Sequence, residues 1–233
     1  MTEYPASIFK RFELFKDLSP AALDDLAAGC SWISASAGKQ IVLTNEPSNE
    51  VYFVVKGRVR ILLYSALEGK PVLLATLGPF KMFGELAALD GIPRSATVEA
   101  EEECVLAVVP GDYFLRLIER YPAFSLAVLR HLASNVRRLT ERVYEFSTLG
   151  VQARVYAELL RIAASLGEKD GEILLAPAPL LIDIAARVST HREAVSRVIS
   201  RLHEKGILRR EGANIRVLDI DRLRKLLLEE KGE

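Results

Sequence analysis

The chain is poor in cysteine. Two occur in 233 residues, Cys30 and Cys104, far apart. That excludes a disulfide framework and a cysteine-rich metal cluster, and it suits a reducing compartment. Histidine is nearly as scarce. His131, His191 and His203 lack metal-ligand spacing with one another or with the cysteines, so no metal is expected. No apolar run reaches the roughly 18 residues of a membrane span. Residues 1–10 have no signal-peptide core, so a cytoplasmic protein with no membrane partner is expected. Motifs of catalysis are missing too: there is no nucleophile elbow, P-loop, HExxH or Cys/His pairing. The expectation is a protein that is not an enzyme and has no catalytic residues.

Net charge is also missing, with 31 basic and 31 acidic residues. Its distribution is uneven. Residues 187–216 hold eight Lys or Arg and three acids, a local +5 that the rest of the chain offsets. A basic stretch on a neutral chain suggests a localised face for a polyanion. A solvated helix face is the plainer alternative.

What is present is a chain of changing texture, half of it hydrophobic and so able to bury a full core. Ser19-Pro20 has the form of an N-cap followed by proline at the first helical position, and Gly29 that of a helix stop. From 31 to 109, short β-branched runs alternate with turn residues. The runs are 40–43, 51–55, 59–64, 72–77, 96–99 and 105–109, with breakers such as Gly38, Gly57 and Asp90-Gly91 between them. That spacing predicts an antiparallel sandwich or barrel of about eight strands. Within it, 84–89 reads as a single helical turn.

Beyond Pro122 the pattern is helical. Leu129, Leu132, Val136, Leu139, Val143 and Phe146 are spaced 3, 4, 3, 4, 3, a heptad seam with β-branched residues at a and Leu at d. Such a seam favours a parallel two-stranded coil, hence a homodimer; packing on the helix's own domain would usually widen the stripe. Leu149-Gly150 reads as a hinge. A helix over 152–166 stopped by Gly167, a hairpin around 172–175, helices over 179–188 and 191–204, a hairpin over 208–217 and a last helix over 221–229 follow.

The stretch IDIAARVSTHREAVSRVISRL, 182–202, has the layout of a helix-turn-helix. Ala185 allows close approach, Val195, Val198 and Ile199 face inward, and Arg192, Glu193, Ser196, Arg197 and Ser200 face outward. A helix of this kind enters the major groove, where Arg bonds guanine and Glu accepts from cytosine. Arg209, Arg210 and Arg216 would lie on a wing near phosphates. Thr190 to Glu193 also reads as a capping box, with Thr190 as the N-cap, and Glu193 could pair with Arg197 one turn on.

The stretch FGELAALDGIPRSATVEA, 83–100, places Glu85 and Arg94-Ser95 among small residues. An arginine, a hydroxyl and free amides suit one phosphate anion, and a carboxylate suits a sugar hydroxyl. A buried Glu85–Arg94 ion pair is the structural alternative.

With VYFVVKGRVRI, the heptad helix and THREAVSRVISRLHEKGIL, this stretch makes the chain resemble the cyclic AMP receptor protein/fumarate-nitrate regulator (Crp/Fnr) superfamily of bacterial transcription factors over nearly its whole length. The resemblance implies an α+β chain in three parts: a cyclic-nucleotide-binding antiparallel β-roll (1–120), a dimerisation helix (121–148) and a winged helix-turn-helix (149–233). It implies that Arg94 and Ser95 hold phosphate and Glu85 holds ribose. Gly84, Leu86, Ala87 and Ala96 would complete the cassette, and Leu139 and Thr140 would meet the base. It implies double-stranded DNA as partner, through Thr190, His191, Arg192, Glu193, Ser196, Arg197, Arg201 and Arg210, at inverted GTGA-like half-sites, with RNA polymerase as a further partner.

The implied allosteric ligand is cyclic AMP. Cyclic GMP stays open because Leu139-Thr140 keeps one of the two hydroxyls typical of the cyclic AMP branch, and a regulator of the same fold that is ligand-independent or takes another small effector is the alternative. Branches that carry an iron–sulfur cluster or haem fit less well, because no cysteine cluster precedes Cys30 and no histidine lies in the roll. Ser189 stands where many members have Gly at the helix-turn-helix turn.

Overall fold

The computed structural model describes residues 5–64, 71–164, 166 and 172–232. They cluster into two compact units, Met1–Val136 and Arg137–Glu233, and the division falls inside one long helix.

In the first unit, two 3₁₀ turns (Ala6–Arg11 and Glu13–Phe15) lead to helix α1 (Pro20–Ala28). Ser19 caps α1 as expected, its Oγ accepting from the Ala22 amide at 3.3 Å. Gly29 follows α1 for want of space: a Cβ there would lie 2.2 Å from the Tyr113 ring.

Eight strands follow among the described residues: β1 (Ser31–Ala35), β2 (Gln40–Val42), β3 (Val51–Lys56), β4 (Val59–Tyr64), β5 (Pro71–Leu77), β6 (Met82–Phe83), β7 (Thr97–Ala100) and β8 (Cys104–Val109). They form two four-stranded antiparallel sheets, ordered β1-β8-β3-β6 and β2-β7-β4-β5. Strand β3 explains the unbroken apolar run VYFVV. It is buried on both faces: Val51, Phe53 and Val55 pack toward the helices, while Tyr52 and Val54 pack inside the roll.

Helix α2 (Glu85–Asp90) interrupts the sheets between β6 and β7; α3 (Gly111–Arg120) and α4 (Pro122–Thr148) follow β8. Phe124 and Val128 of α4 are buried in the helical side of the core with Phe9, Phe12 and Phe15. The further α4 residues Leu129, Val136, Leu139, Val143 and Phe146 are 42–64% exposed within the single chain, Val143 the most. Leu132 alone of the seam packs against the core.

The second unit adds α5 (Val151–Ala164), β9 (Ile173–Leu175), α6 (Leu181–Arg187), α7 (Arg192–Glu204), β10 (Leu208–Glu211), β11 (Asn214–Val217) and α8 (Ile220–Lys231). Its sheet runs β10-β11-β9. The expected 172–175 hairpin is corrected in part: Ile173–Leu175 pairs with β11, and an upstream arm over 167–171, like the stop at Gly167, lies outside the described residues. Tyr156, Leu159, Leu175, Ile184, Val195 and Leu202 centre one core.

A charged network ties the end of α4 to this core. Arg142 donates to the Arg187 carbonyl at 2.6 Å, and Arg187 donates to Glu158 at 3.0 Å. Arg161 bonds both Glu158 and Glu145. Burial by itself would lower the Arg161 pKa, but the bond to Glu145 and the charge of Glu158 raise it; Arg142, whose largest influence is burial, is lowered.

Candidate functional site

In the first unit, seven of the expected ligand residues come together where β6 passes into α2 and where the next loop enters β7. Gly84 is the N-cap of α2 with φ of 86°, a left-handed conformation that suits glycine. The space is closed as well: a Cβ at Gly84 would lie 2.7 Å from the Glu50 carbonyl and 2.8 Å from Arg94 Nη1. Glu85, Ala87, Arg94 and Ala96 are buried, whereas Leu86 and Ser95 are exposed.

Arg94 is 3% exposed and fixed in orientation. Its Nε donates to Ser48 Oγ at 2.9 Å, its Nη1 to the Gly84 carbonyl at 3.0 Å and its Nη2 to Glu50 Oε2 at 3.1 Å. Its backbone is held too, the Arg94 amide donating to the Glu46 carbonyl at 3.1 Å. A guanidinium has five N–H donors. Three are committed to Ser48, Gly84 and Glu50.

The structural alternative of a Glu85–Arg94 pair is thereby corrected. Glu50 takes the guanidinium, and Glu85 lies 3.7 Å from His131 Nε2 on α4. Glu50 and Ser48 were missed in the sequence; they precede β3 in a turn whose only local signal is Glu46-Pro47-Ser48-Asn49. Tyr52 lines the same region, its ring stacked on Phe83 at 4.8 Å with Arg94 Cζ at 5.7 Å. Burial, and next the charge of Glu50, push the Tyr52 hydroxyl pKa up. Leu139 and Thr140 belong to the second unit, where both are exposed.

In the second unit, α6 and α7 form the helix pair. Ala185, Val195 and Val198 are buried and Ile199 packs against the core, as expected. His191, Arg192, Glu193, Ser196, Arg197 and Arg201 are exposed, and Thr190 is half-buried. Ser189 has φ of 52°, the strained position for a non-glycine residue anticipated at this turn.

The capping box is not formed in the expected register. The N-cap is His191, without a side-chain cap bond, and Thr190 donates its amide to the Ala185 carbonyl at 2.9 Å. Arg201 donates to Gln152 at 2.9 Å. A groove of about 970 Å³ lies between α7, the start of α6 and the strands, lined by Arg192, Ser196 and Arg210 among others.

The wing differs from expectation in its charge. Glu211 accepts from Arg216 at 2.8 and 2.9 Å and from Arg209 at 3.3 Å. The Arg216 bond holds the Glu211 carboxyl below its ordinary pKa. Arg210 bonds only the Gly212 carbonyl, at 3.3 Å, so it is the wing arginine without a carboxylate partner among the described residues.

The geometry sets a buried, oriented guanidinium in one unit and an exposed, basic helix in the other. Residues 32–121 match the cyclic nucleotide-binding domain family, and residues 153–226 match the Crp-like helix-turn-helix domain. A Cyclic AMP receptor protein of Thermus thermophilus is 34% identical over 206 residues, 84% of this chain and 88% of its own. The chain belongs to the Crp/Fnr superfamily.

As a Crp/Fnr regulator it joins a cyclic-nucleotide-binding domain to a helix-turn-helix DNA-binding domain. Another Crp/Fnr relative, the CRP-like cAMP-activated global transcriptional regulator of Mycobacterium tuberculosis, is 28% identical over 217 residues, covering 93% of this chain and 96% of its own. These relatives are named as regulators and a receptor, not as enzymes. The fold is shared with a CooA mutant from Carboxydothermus hydrogenoformans, with a TM-score of 0.78, 21% identity and 97% coverage of both chains. Among the described residues no helix is long and apolar enough to cross a membrane.

Proposed function

We propose that this Crp/Fnr protein is a homodimeric, cytoplasmic transcription regulator switched by a cyclic nucleotide, cyclic AMP foremost. The observation that carries the ligand reading is the buried Arg94 fork, preset by Glu50, Ser48 and the Gly84 carbonyl with two donors to spare. Those donors and Ser95 take the cyclic phosphate, and Glu85 takes the ribose hydroxyl. Gly84, Leu86, Ala87 and Ala96 form the walls.

The exposed seam of α4 supports the dimer, because a row of Leu129, Val136, Leu139 and Val143 facing water is unfavourable for a lone chain. The roll is 1–120, the dimer helix 121–148 and the winged domain 149–233. Each subunit sets α7 in a major groove, with Arg192, Glu193 and Arg197 on base edges and Thr190, His191, Ser196, Arg201 and Arg210 around them, at inverted GTGA-like half-sites about 34 Å apart. RNA polymerase is the further partner. The ligand acts by favouring the arrangement in which the two helices match that spacing, with the bend at Leu149-Gly150.

Cyclic GMP or another effector is the second reading, favoured by Leu139 beside Thr140, which leaves one hydroxyl for the base. A DNA-binding selection run without ligand, with cyclic AMP and with cyclic GMP tests both. Enrichment of one palindrome only with cyclic AMP supports the first reading. The same palindrome selected equally in all three arms would refute the switch.

A further inference from the structure

His131 lies beside Glu85 of the cassette. It sits on α4, in the first unit, with Nε2 at 3.7 Å from Glu85 Oε1 and 3.0 Å from Asn135 Nδ2. The Glu85 side chain is 9% exposed and that of His131 29%. Glu85 is thus a nearly dry carboxylate beside an imidazole, which is a cation only when protonated.

The consequence follows from counting charge around the proposed anion. Glu50, Glu85 and Arg94 leave the pocket with one negative charge in excess, and a cyclic nucleotide adds another. A charged His131 cancels the excess. The other charged residues lining the groove that His131 lines are Glu13, Lys16 and Asp17 on the N-terminal turns, Lys81 before β6 and Arg130 on α4 itself. Lys16 is paired with Glu13, and among the described residues none of Lys16, Lys81 and Arg130 pairs with Glu85. The same Nε2 lies near both groups, so an unprotonated Nε2 can accept from the Asn135 amide and a protonated one can donate toward the Glu85 carboxylate.

We propose that His131 is a positioning residue of the nucleotide pocket, whose protonation neutralises and orients Glu85 and thereby tightens binding of the anionic ligand. This rests on the cyclic-nucleotide reading of the site. Affinity is higher at pH 6, where more of the imidazole is charged, than at pH 8. The cation does not touch the phosphate. It acts through Glu85, which keeps one oxygen for the ribose hydroxyl while the other faces the ring.

The test is calorimetric titration of the full chain with cyclic AMP at pH 6 and pH 8, for the wild type, His131→Gln, His131→Lys and Glu85→Gln. The wild type binds roughly fivefold more tightly at pH 6, the effect of about 1 kcal/mol of Coulomb energy. His131→Gln is weak at both pH values, His131→Lys is tight at both, and Glu85→Gln loses the pH dependence along with affinity. A pH slope that persists in His131→Gln, or a lysine variant as weak as the glutamine one, overturns the role of His131. If one variant fails to fold, judged by its thermal melt, the Glu85→Gln slope decides: a slope unchanged from wild type overturns the proposal. Wild-type binding with no slope removes only this inference, whereas no binding of cyclic AMP or cyclic GMP at either pH removes the nucleotide reading and this inference with it.

Discussion

Arg94 and Glu50, 44 residues apart, meet at 3.1 Å, and the same guanidinium donates to the Gly84 carbonyl. Glu50 has a side chain 40% exposed, while that of Arg94 is 2% exposed, so water solvates the acid and the fold aims the base. Arg94→Ala removes the charged donor and weakens cyclic-nucleotide affinity at least tenfold, the effect of roughly 1.5–3 kcal/mol for a charge-assisted bond. Glu50→Gln keeps a hydrogen-bond acceptor and loses less. Calorimetry on both variants checks the order; equal losses would mean that the carboxylate itself, not its aim on Arg94, matters.

Arg161 holds two carboxylates, Glu145 at 7% and Glu158 at 3% exposure. Arg161→Met leaves Glu145 without this partner in a buried setting, so destabilisation of about 3 kcal/mol is expected. Adding Glu145→Gln and Glu158→Gln recovers much of it, because the intact network contributes little net stability over neutral groups. Urea unfolding of the single and triple variants measures this.

On the α4 seam, Leu139→Glu and Val143→Glu place charges where the chain alone exposes 56% and 64% of the residue. Neither disturbs the fold of one chain. Both should convert a dimer to monomers in sedimentation velocity, with the melting curve of the monomer intact.

Arg197 and Arg210 are expected to differ in kind. Arg197→Ala costs about 1–3 kcal/mol on the specific palindrome and little on random DNA. Arg210→Ala weakens both alike and lowers the salt slope by about one, as for a phosphate contact. Binding isotherms at several salt concentrations separate the two.

Cys30 offers a pH signature. Burial pushes its pKa from an ordinary 9.0 up to about 12. The folded value is raised, so the stabilisation is fully present below pH 9.0 and is lost as pH climbs toward about 12. The native thiol should therefore react slowly with a disulfide reagent at pH 8, and Cys30→Ala should lessen the fall in stability between pH 9 and pH 11.

Much of the fold was legible because it is written locally. Six of the eight described roll strands follow from β-branched runs between turn residues, and α4 and α7 from apolar spacing of 3 and 4. β6 is only two residues long, too short for any periodicity. The N-terminal 3₁₀ turns went unassigned, although Phe9, Phe12 and Phe15 recur every third residue, the period of that helix. All three are nearly fully buried, with Phe15 and Phe53 ring centroids 5.1 Å apart.

The site divides in the same way. Short-range pattern pointed to the Gly-Glu and Arg-Ser stretch, to the helix pair and to the basic stretch, since each depends on neighbours a few residues apart. Only the folded chain selected Glu50 as the partner of Arg94, His131 as the neighbour of Glu85 and Glu211 as the acid that occupies Arg209 and Arg216. Two of these pairings span more than forty residues and depend on sheet register and helix docking. Charge acts over a few ångströms of space whatever the separation along the chain, so which charges meet was decided by the packing.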